Sequence, residues 1–426
     1  MKAFSLHKTL AAFVCMSTLL MSACGSASAE SPAALLTQQT AEIVTLANTT
    51  SSGKLDASDF FTERDLTQTP ELTDAVQYSL KDGQELTITE EGVYVLTGTA
   101  KNATVIVEAD KEAKVQLVLD GLNVTNDDFP AIYVKSGDKV FVTTTADSSL
   151  SVTGSFRKDG DTNTDGVIFS RSDLVLNGTA ALTISSSKNG VVSKDDLKVT
   201  GGSYTVTAAK KAFEANDSIR IADGSFALTA GTDALHAENE DDDTLGYVYI
   251  CGGDFTITAG DDAIHGVSVV QIDGGSLTIQ AAEGIEGTYV QINGGTIAIT
   301  ASDDGINGAQ KSDSYRPTVE ITGGEITISM GAGDTDGVDC NGDLIISGGT
   351  IDVTGGSGFD IDGSVSFSGG TVIVNGQTVT SIPNQMMGGG MGGMGGFGMQ
   401  GGQSGFGTQG GQAGFGGGMG GMGRRW

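Results

Sequence analysis

Residues 252–308 contain, in succession, GGDFTITAGDDAIHG (252–266), GGSLTIQAAEGIEG (274–287) and GGTIAITASDDGING (294–308), one phrase repeated with only its polar letters changed. Each copy opens on a Gly-Gly turn, runs through alternating apolar and polar residues, and closes on an acidic residue, a small residue, an aliphatic residue and a polar residue. The phrase returns on both sides. Gly178, Gly202, Gly224, Gly253, Gly275, Gly295, Gly324, Gly349 and Gly370 recur at roughly twenty to thirty residues, the period of a solenoid in which each repeat is one coil. Short strands from successive coils would then pair in parallel at about 4.8 Å, so the expected fold is an all-β parallel β-helix. Alternation sends Phe255 and Ile257, Leu277 and Ile279, Ile297 and Ile299, and Ile326 and Ile328 inward as columns of the core. A sandwich or barrel would instead show hairpin turns and strands that do not superimpose.

Composition narrows the functional classes. The chain has 426 residues and a formal charge of -30, which excludes nucleic acid as a natural partner, since phosphates are neutralised by Lys and Arg. Such a surface attracts cations. An acidic polymer would have to approach it through bound metal.

The chain divides by composition. Lys2 and Lys8 precede an apolar run, Leu10 to Leu20, too short to span a bilayer and followed by small residues, so residues 1–23 read as a secretory signal. It ends in Leu20-Met21-Ser22-Ala23-Cys24-Gly25, which resembles a bacterial lipobox with Met in place of the usual Leu three residues before the cysteine. Lipidation at Cys24 and a cell-surface location follow; an ordinary signal peptide cut after Ala27 or Ala29 is the alternative. Residues 24–79 read as a linker, 80–149 as irregular first coils that shield the end of the solenoid, 150–383 as the regular coils, and 384–426 as a disordered Gly/Met/Phe-rich tail. Cys15 and Cys24 belong to the signal, and Cys251 and Cys340 lie too many rungs apart to pair, so two free thiols are expected.

The closing part of the phrase carries the chemistry. Aligned coils place Asp233, Asp262, Glu283, Asp304 and Asp336 in one column, thickened by Asp261 and Asp303. Three residues on, a second column reads Glu214, His236, His265, Glu286, Asn307, Asp339 and Asp360. Carboxylates about 4.8 Å apart repel by roughly 3 to 4 kcal/mol at an effective dielectric near 20. The columns from Asp233 to Asp339 contain no Lys, so a divalent cation is the economical remedy, and an oxygen-rich ligand set selects calcium. Turn chemistry alone also places Asp beside Gly, but it would mix Asn, Ser and Thr into the column. Two insertions, Glu238–Gly246 and Ala309–Pro317, follow these columns, where loops on a rigid scaffold carry binding groups or are simply solvated.

Leu86–Gly98 (LTITEEGVYVLTG), Val115–Thr125 (VQLVLDGLNVT), Ala131–Lys135 (AIYVK) and the DDAIH and DDGIN coils resemble the secreted bacterial carbohydrate-binding β-helix proteins first described from cellulose-degrading clostridia. The resemblance covers about residues 80 to 380. It implies a right-handed parallel β-helix, bound calcium, similarity to family nine pectate lyases, and binding of cellulose and polygalacturonate without established lyase activity.

The residues bear on the ligand separately. Flat cellulose is gripped by rows of exposed aromatics, and the sole Trp is the last residue. Polygalacturonate or another acidic plant cell-wall polysaccharide fits better, with His236, His265, Glu286, Asn307, Tyr289 and Tyr315 as candidate contacts; Tyr247 and Tyr249 also lie near the acidic columns but read equally as strand residues. A calcium-dependent polyuronate lyase is the rival, with Lys211, next to Lys210 and before Asp233 in the first column, as its base. As a charge-balancing residue Lys211 needs no catalytic role. A surface adhesin or scaffold, with the tail as its adhesive part, is a third reading. The anchoring expectation is testable: the mature chain should begin at lipidated Cys24 and travel with membranes, and a soluble chain whose N-terminus lies beyond Cys24 rejects it.

Overall fold

The structure is a computed structural model, and it describes residues 54–331 and 335–383. The expected signal, Cys24 and the tail 384–426 lie outside these. Apart from one helical turn, Glu63–Leu66, the elements are strands. They form a solenoid-like all-β arrangement of three stacks of parallel strands, not closed into a barrel. One coil contributes Ser276–Ala281 to the first stack and the two halves of Glu283–Ile292 to the second and third.

The first stack shows why the phrase repeats. Its strands alternate exposed and buried residues, and register sets Phe226 on Phe255, Phe255 on Leu277, Leu277 on Ile297 and Ile297 on Ile326. A parallel column runs Ile257, Ile279, Ile299, Ile328. Identical side chains stacked rung on rung fill the interior without voids; the rings of Phe226 and Phe255 lie 4.4 Å apart and within 5° of parallel. The expected inward columns are thus present. Gly275 turns at φ +98 with its Cβ position only 3.0 Å from the carbonyl oxygen of Gly253, so the corner excludes both a side chain and an ordinary backbone conformation.

Stacking does not begin at residue 150. Val76–Ser79 already pairs in parallel with residues 94–97, and the three stacks continue across 149–150 without interruption. The early coils look irregular in sequence because Gly92–Lys101 and Lys114–Asn126 each run through two stacks, turning the corner at a single positive-φ glycine, Gly98 or Gly121, with a register shift in place of the Gly-Gly pair. At the other end Thr371–Val374 folds back antiparallel on Gln377–Val379 through Asn375-Gly376, both at positive φ, which covers part of the last edge.

The larger departure concerns residues 54–79, expected as part of a linker. Residues 54–68 form a strap across the third stack. The Lys54 amide donates to Gln291 and the Leu55 amide to Gln271 Oε1 (2.8 Å). Phe60 stacks on Tyr247 and meets Tyr249 edge-on, and Arg220 lies over its face. Tyr247 and Tyr249 are therefore buried strand residues under the strap. Asp65, fully buried, caps the helical turn through the Thr62 amide and meets Lys139 at 3.3 Å and Lys198 at 3.5 Å. Its composition resembles a linker because a strap presents few apolar anchors and takes the rest of its partners from the stack. Cys251 and Cys340 are both free and buried.

Burial pushes the Asp65 carboxyl upward, but the Thr62 amide and the two ammonium groups outweigh it and hold it below its usual range. Its stabilisation is therefore complete above the unfolded carboxylate range and is lost as pH falls through the depressed value. Asp65→Ala should cost about 3 kcal/mol in urea unfolding at neutral pH, because it leaves buried Lys198 without its ion pair and Lys139 with only the more distant Asp173. An unchanged urea midpoint would show that the strap does not hold the stack.

Candidate functional site

The second stack carries both expected columns. Register pairs Glu214 with His236, His236 with His265, His265 with Glu286, Glu286 with Asn307, Asn307 with Asp339 and Asp339 with Asp360. In the other column Asp262 pairs with Glu283 and Asp304 with Asp336, while the Asp262 amide reaches Asp233 Oδ1. Leu235, Ile264, Ile285, Ile306 and Val338 sit between the columns and point into the core, which fixes the polar neighbours outward. Asp261 and Asp303 are exposed at the margin.

Two halves of this ladder differ in how their charge is met. In the first, His236 Nδ1 lies 2.7 Å from Asp233 Oδ2 and its Nε2 lies 3.1 Å from Glu238. His265 Nδ1 lies 2.5 Å from Asp262 and 3.0 Å from Glu286, and Lys311 Nζ reaches Glu286 at 2.9 Å. Burial alone would lower the His265 imidazole, but its hydrogen bonds to Asp262 and Glu286 push it up to about 9. The ring is therefore charged at neutral pH. Burial likewise pushes Glu286 upward, and His265 and Lys311 outweigh it, so its carboxyl is held low. Asp262, His265 and Glu286 stand close enough together to hold a metal ion, but a proton and an ammonium group already serve that purpose.

The second half has no such cations. Burial, reinforced by Glu286, Asp262 and Asp304 and only partly offset by Asn307, pushes Glu283 up to about 7. Burial and the Asp339 charge push Asp304 up to about 7, and burial with Asp360 and Asp336 raises Asp339 to about 6. Asn307 donates from Nδ2 to Glu283 (2.9 Å) and Glu286 (3.4 Å), which fixes the amide, and its buried Oδ1 has no donor. The amide oxygen and the carboxylates of Glu283, Asp304, Asp336 and Asp339 are oxygen donors spread over three successive rungs, whereas the acidic and imidazole groups that lie within one ion's reach of each other among the described residues are Asp262, His265 and Glu286.

Lys311 is the residue that the columns did not reveal. It lies on the insertion Ala309–Pro317, so the irregularity was visible while its partner, a rung away, was not. Tyr289 and Tyr315 are not part of the ladder. Tyr289 stands on the third stack with its hydroxyl 2.5 Å from Glu320, and Lys54 of the strap lies over both rings, 4.9 and 5.6 Å from their centroids. Lys211 lies beside the first half, near Asp233.

The sequence profile of a family described as carbohydrate-binding domain-containing protein matches residues 82–332 and 281–403. A carbohydrate-binding domain-containing protein of Acetivibrio thermocellus is 34% identical over 127 residues, which is 29% of this chain and 44% of that relative, so the match spans less than half of the relative's length. A solved structure, that of the polysaccharide lyase-like protein from C. thermocellum as a gadolinium derivative, is similar at 31% identity over 52% of this chain and 96% of that one, with a TM-score of 0.47.

The stabilisation from His265 is fully present below its unfolded value, near 6.5, and is lost as pH rises through about 9. His265→Ala should therefore cost about 3 kcal/mol at pH 6 by leaving buried Asp262 unpaired and Glu286 with Lys311 alone. The gap to wild type should narrow above pH 9. A gap in urea stability that stays constant from pH 6 to 10 would mean that His265 acts by packing and not by charge.

Proposed function

Because the chain belongs to the family of carbohydrate-binding domain-containing proteins, we propose that it is a calcium-dependent binder of acidic polysaccharide, polygalacturonate or another plant cell-wall polymer. In this reading the stacks wind as a right-handed parallel β-helix held at the cell surface by lipid on Cys24. The observation that carries the metal is the donorless Oδ1 of Asn307 among carboxylates raised by burial and, after it, by their neighbours' charge. A buried amide oxygen with no donor costs about 1 to 3 kcal/mol, and a cation removes that cost together with the repulsion. Glu283, Asp304, Asp336, Asp339 and Asn307 would offer the oxygen ligands, an ion being shared between neighbours on adjacent rungs such as Asp304 and Asp336. Oxygen ligands without nitrogen or sulfur favour calcium over zinc. Asp233 and Asp262, grouped with these residues on sequence grounds, are paired with histidine and would contribute less. Bound calcium would supply the positive charge that a uronate carboxylate needs on a surface of net charge -30.

A binder is preferred over a lyase on distance. Lys211 lies on the rung before Asp233, four rungs from Asp304 and so roughly 19 Å along the stack at about 4.8 Å per rung. A base there cannot take a proton from a sugar held at the oxygen set.

The test is a paired variant, Asp304→Asn with Asp336→Asn, which removes two charges at constant volume. It should lose calcium binding in calorimetry, and polygalacturonate should no longer retard it in affinity electrophoresis, while its circular dichroism stays that of wild type. Wild-type calcium affinity in this variant would remove the metal from the site, and polygalacturonate binding that survives chelation undiminished would remove it from the function.

A further inference from the structure

The end of the ladder before Asp233 is built from different residues. Lys188 and Lys210 stand on adjacent rungs, joined by the Lys210 amide and the Lys188 carbonyl at 3.0 Å, and Lys211 follows directly. With Glu214 and His236 they line a cavity of about 490 Å³. A second cavity of about 470 Å³ shares Lys211, Glu214 and His236 with it and is walled by the insertion from Glu238. Both volumes fall in the range of small-ligand sites.

The same cavity carries the carboxylates of Asp165, Glu214, Asp233 and Asp261, and most of these have closer partners, Asp165 taking the Asn163 amide at 2.7 Å. Glu214 takes Lys194 at 3.0 Å and the Asn189 amide at 2.8 Å, and Asp233 has His236 at 2.7 Å. Among the described residues, Lys188, Lys210 and Lys211 form no ion pair. The three ammonium groups stay outside ion-pair distance of the cavity's carboxylates and so remain open to an anion from outside. In a chain of net charge -30, three adjacent uncommitted ammonium groups opening on a cavity are a local exception. An acidic polymer can approach them directly.

We propose that Lys188, Lys210 and Lys211 form a second subsite, one that holds a sugar carboxylate without metal. One acidic glycan then lies along the axis of the stack, with one uronate on the lysines and another near the oxygen set of Glu283 to Asp339. The proposal rests on the uronate reading above and adds a metal-independent contact to it. The two ends are separated by roughly 14 to 19 Å at about 4.8 Å per rung, so a single sugar cannot reach both. An oligomer engages them together and gains from the linkage.

The experiment uses the full chain, with hexagalacturonate and monogalacturonate as probes in calcium and in chelator. Wild type should keep weak, salt-sensitive hexagalacturonate binding in chelator. The triple variant Lys188→Ala, Lys210→Ala, Lys211→Ala should lose it, and in calcium should bind about tenfold more weakly than wild type, with unchanged calcium affinity. The corresponding triple Arg variant should retain binding, which separates charge from a folding defect. Equal hexagalacturonate affinity of wild type and the Ala variant in both conditions overturns the lysine subsite and leaves the calcium reading standing. Equal affinity of wild type for the two probes overturns the axial placement. Lysine-dependent binding in chelator that calcium does not strengthen supports this subsite and counts against the calcium reading, while wild type that binds neither probe ends both.

Discussion

Parallel stacking in register puts equivalent positions of successive coils about 4.8 Å apart, so a residue type adopted at one rung is repeated beside itself at the next. For apolar residues the constraint is favourable. Phe226, Phe255, Leu277 and Ile297 each rest on a side chain of similar shape, and a column of them excludes water more completely than the same residues scattered. For carboxylates it is costly. Asp262 above Glu283, or Asp304 above Asp336, is a like-charged pair by construction, and stability depends on what is set against it.

The chain answers that cost in two ways within a few rungs. From Asp233 to Glu286 the partners are internal: His236 bonds Asp233, the charged His265 stands between Asp262 and Glu286, and the insertion after Asn307 brings the Lys311 ammonium group back to Glu286. From Glu283 to Asp339 the charge is left on the carboxylates, which respond by holding protons near neutrality. A self-neutralised segment gives rigidity and little else. A segment that retains protons for want of a cation has free energy available for a ligand.

How much of this is legible without coordinates depends on how local the signal is. The Gly-Gly turns, inward columns and second column from Glu214 to Asp360 follow from one periodicity, and repetition corrects local ambiguity. The strap has no repetition to reveal it. Asp65 finds Lys198 more than a hundred residues away and Asn177 at a similar distance, so nothing near residue 65 in sequence announces the contact. Lys311 was hidden in the same way, on an insertion whose length was informative and whose direction was not. The first coils lack the common phrase for a different reason, because a single glycine with a register shift, at Gly98 and at Gly121, turns the corner there in place of the Gly-Gly pair.

The strap also sets how the body would bear a load. Its contacts fall in reverse rung order along the chain, Lys54 at Gln291, Leu55 at Gln271, Phe60 at Tyr249 and Asp65 at Lys198. Tension applied ahead of Lys54 therefore meets these attachments one after another, and each must open before the next is strained. The coils behind remain unstretched until the buried Asp65 pair gives way. Contacts arranged in series in this way open by unzipping from one end, and not by shearing together.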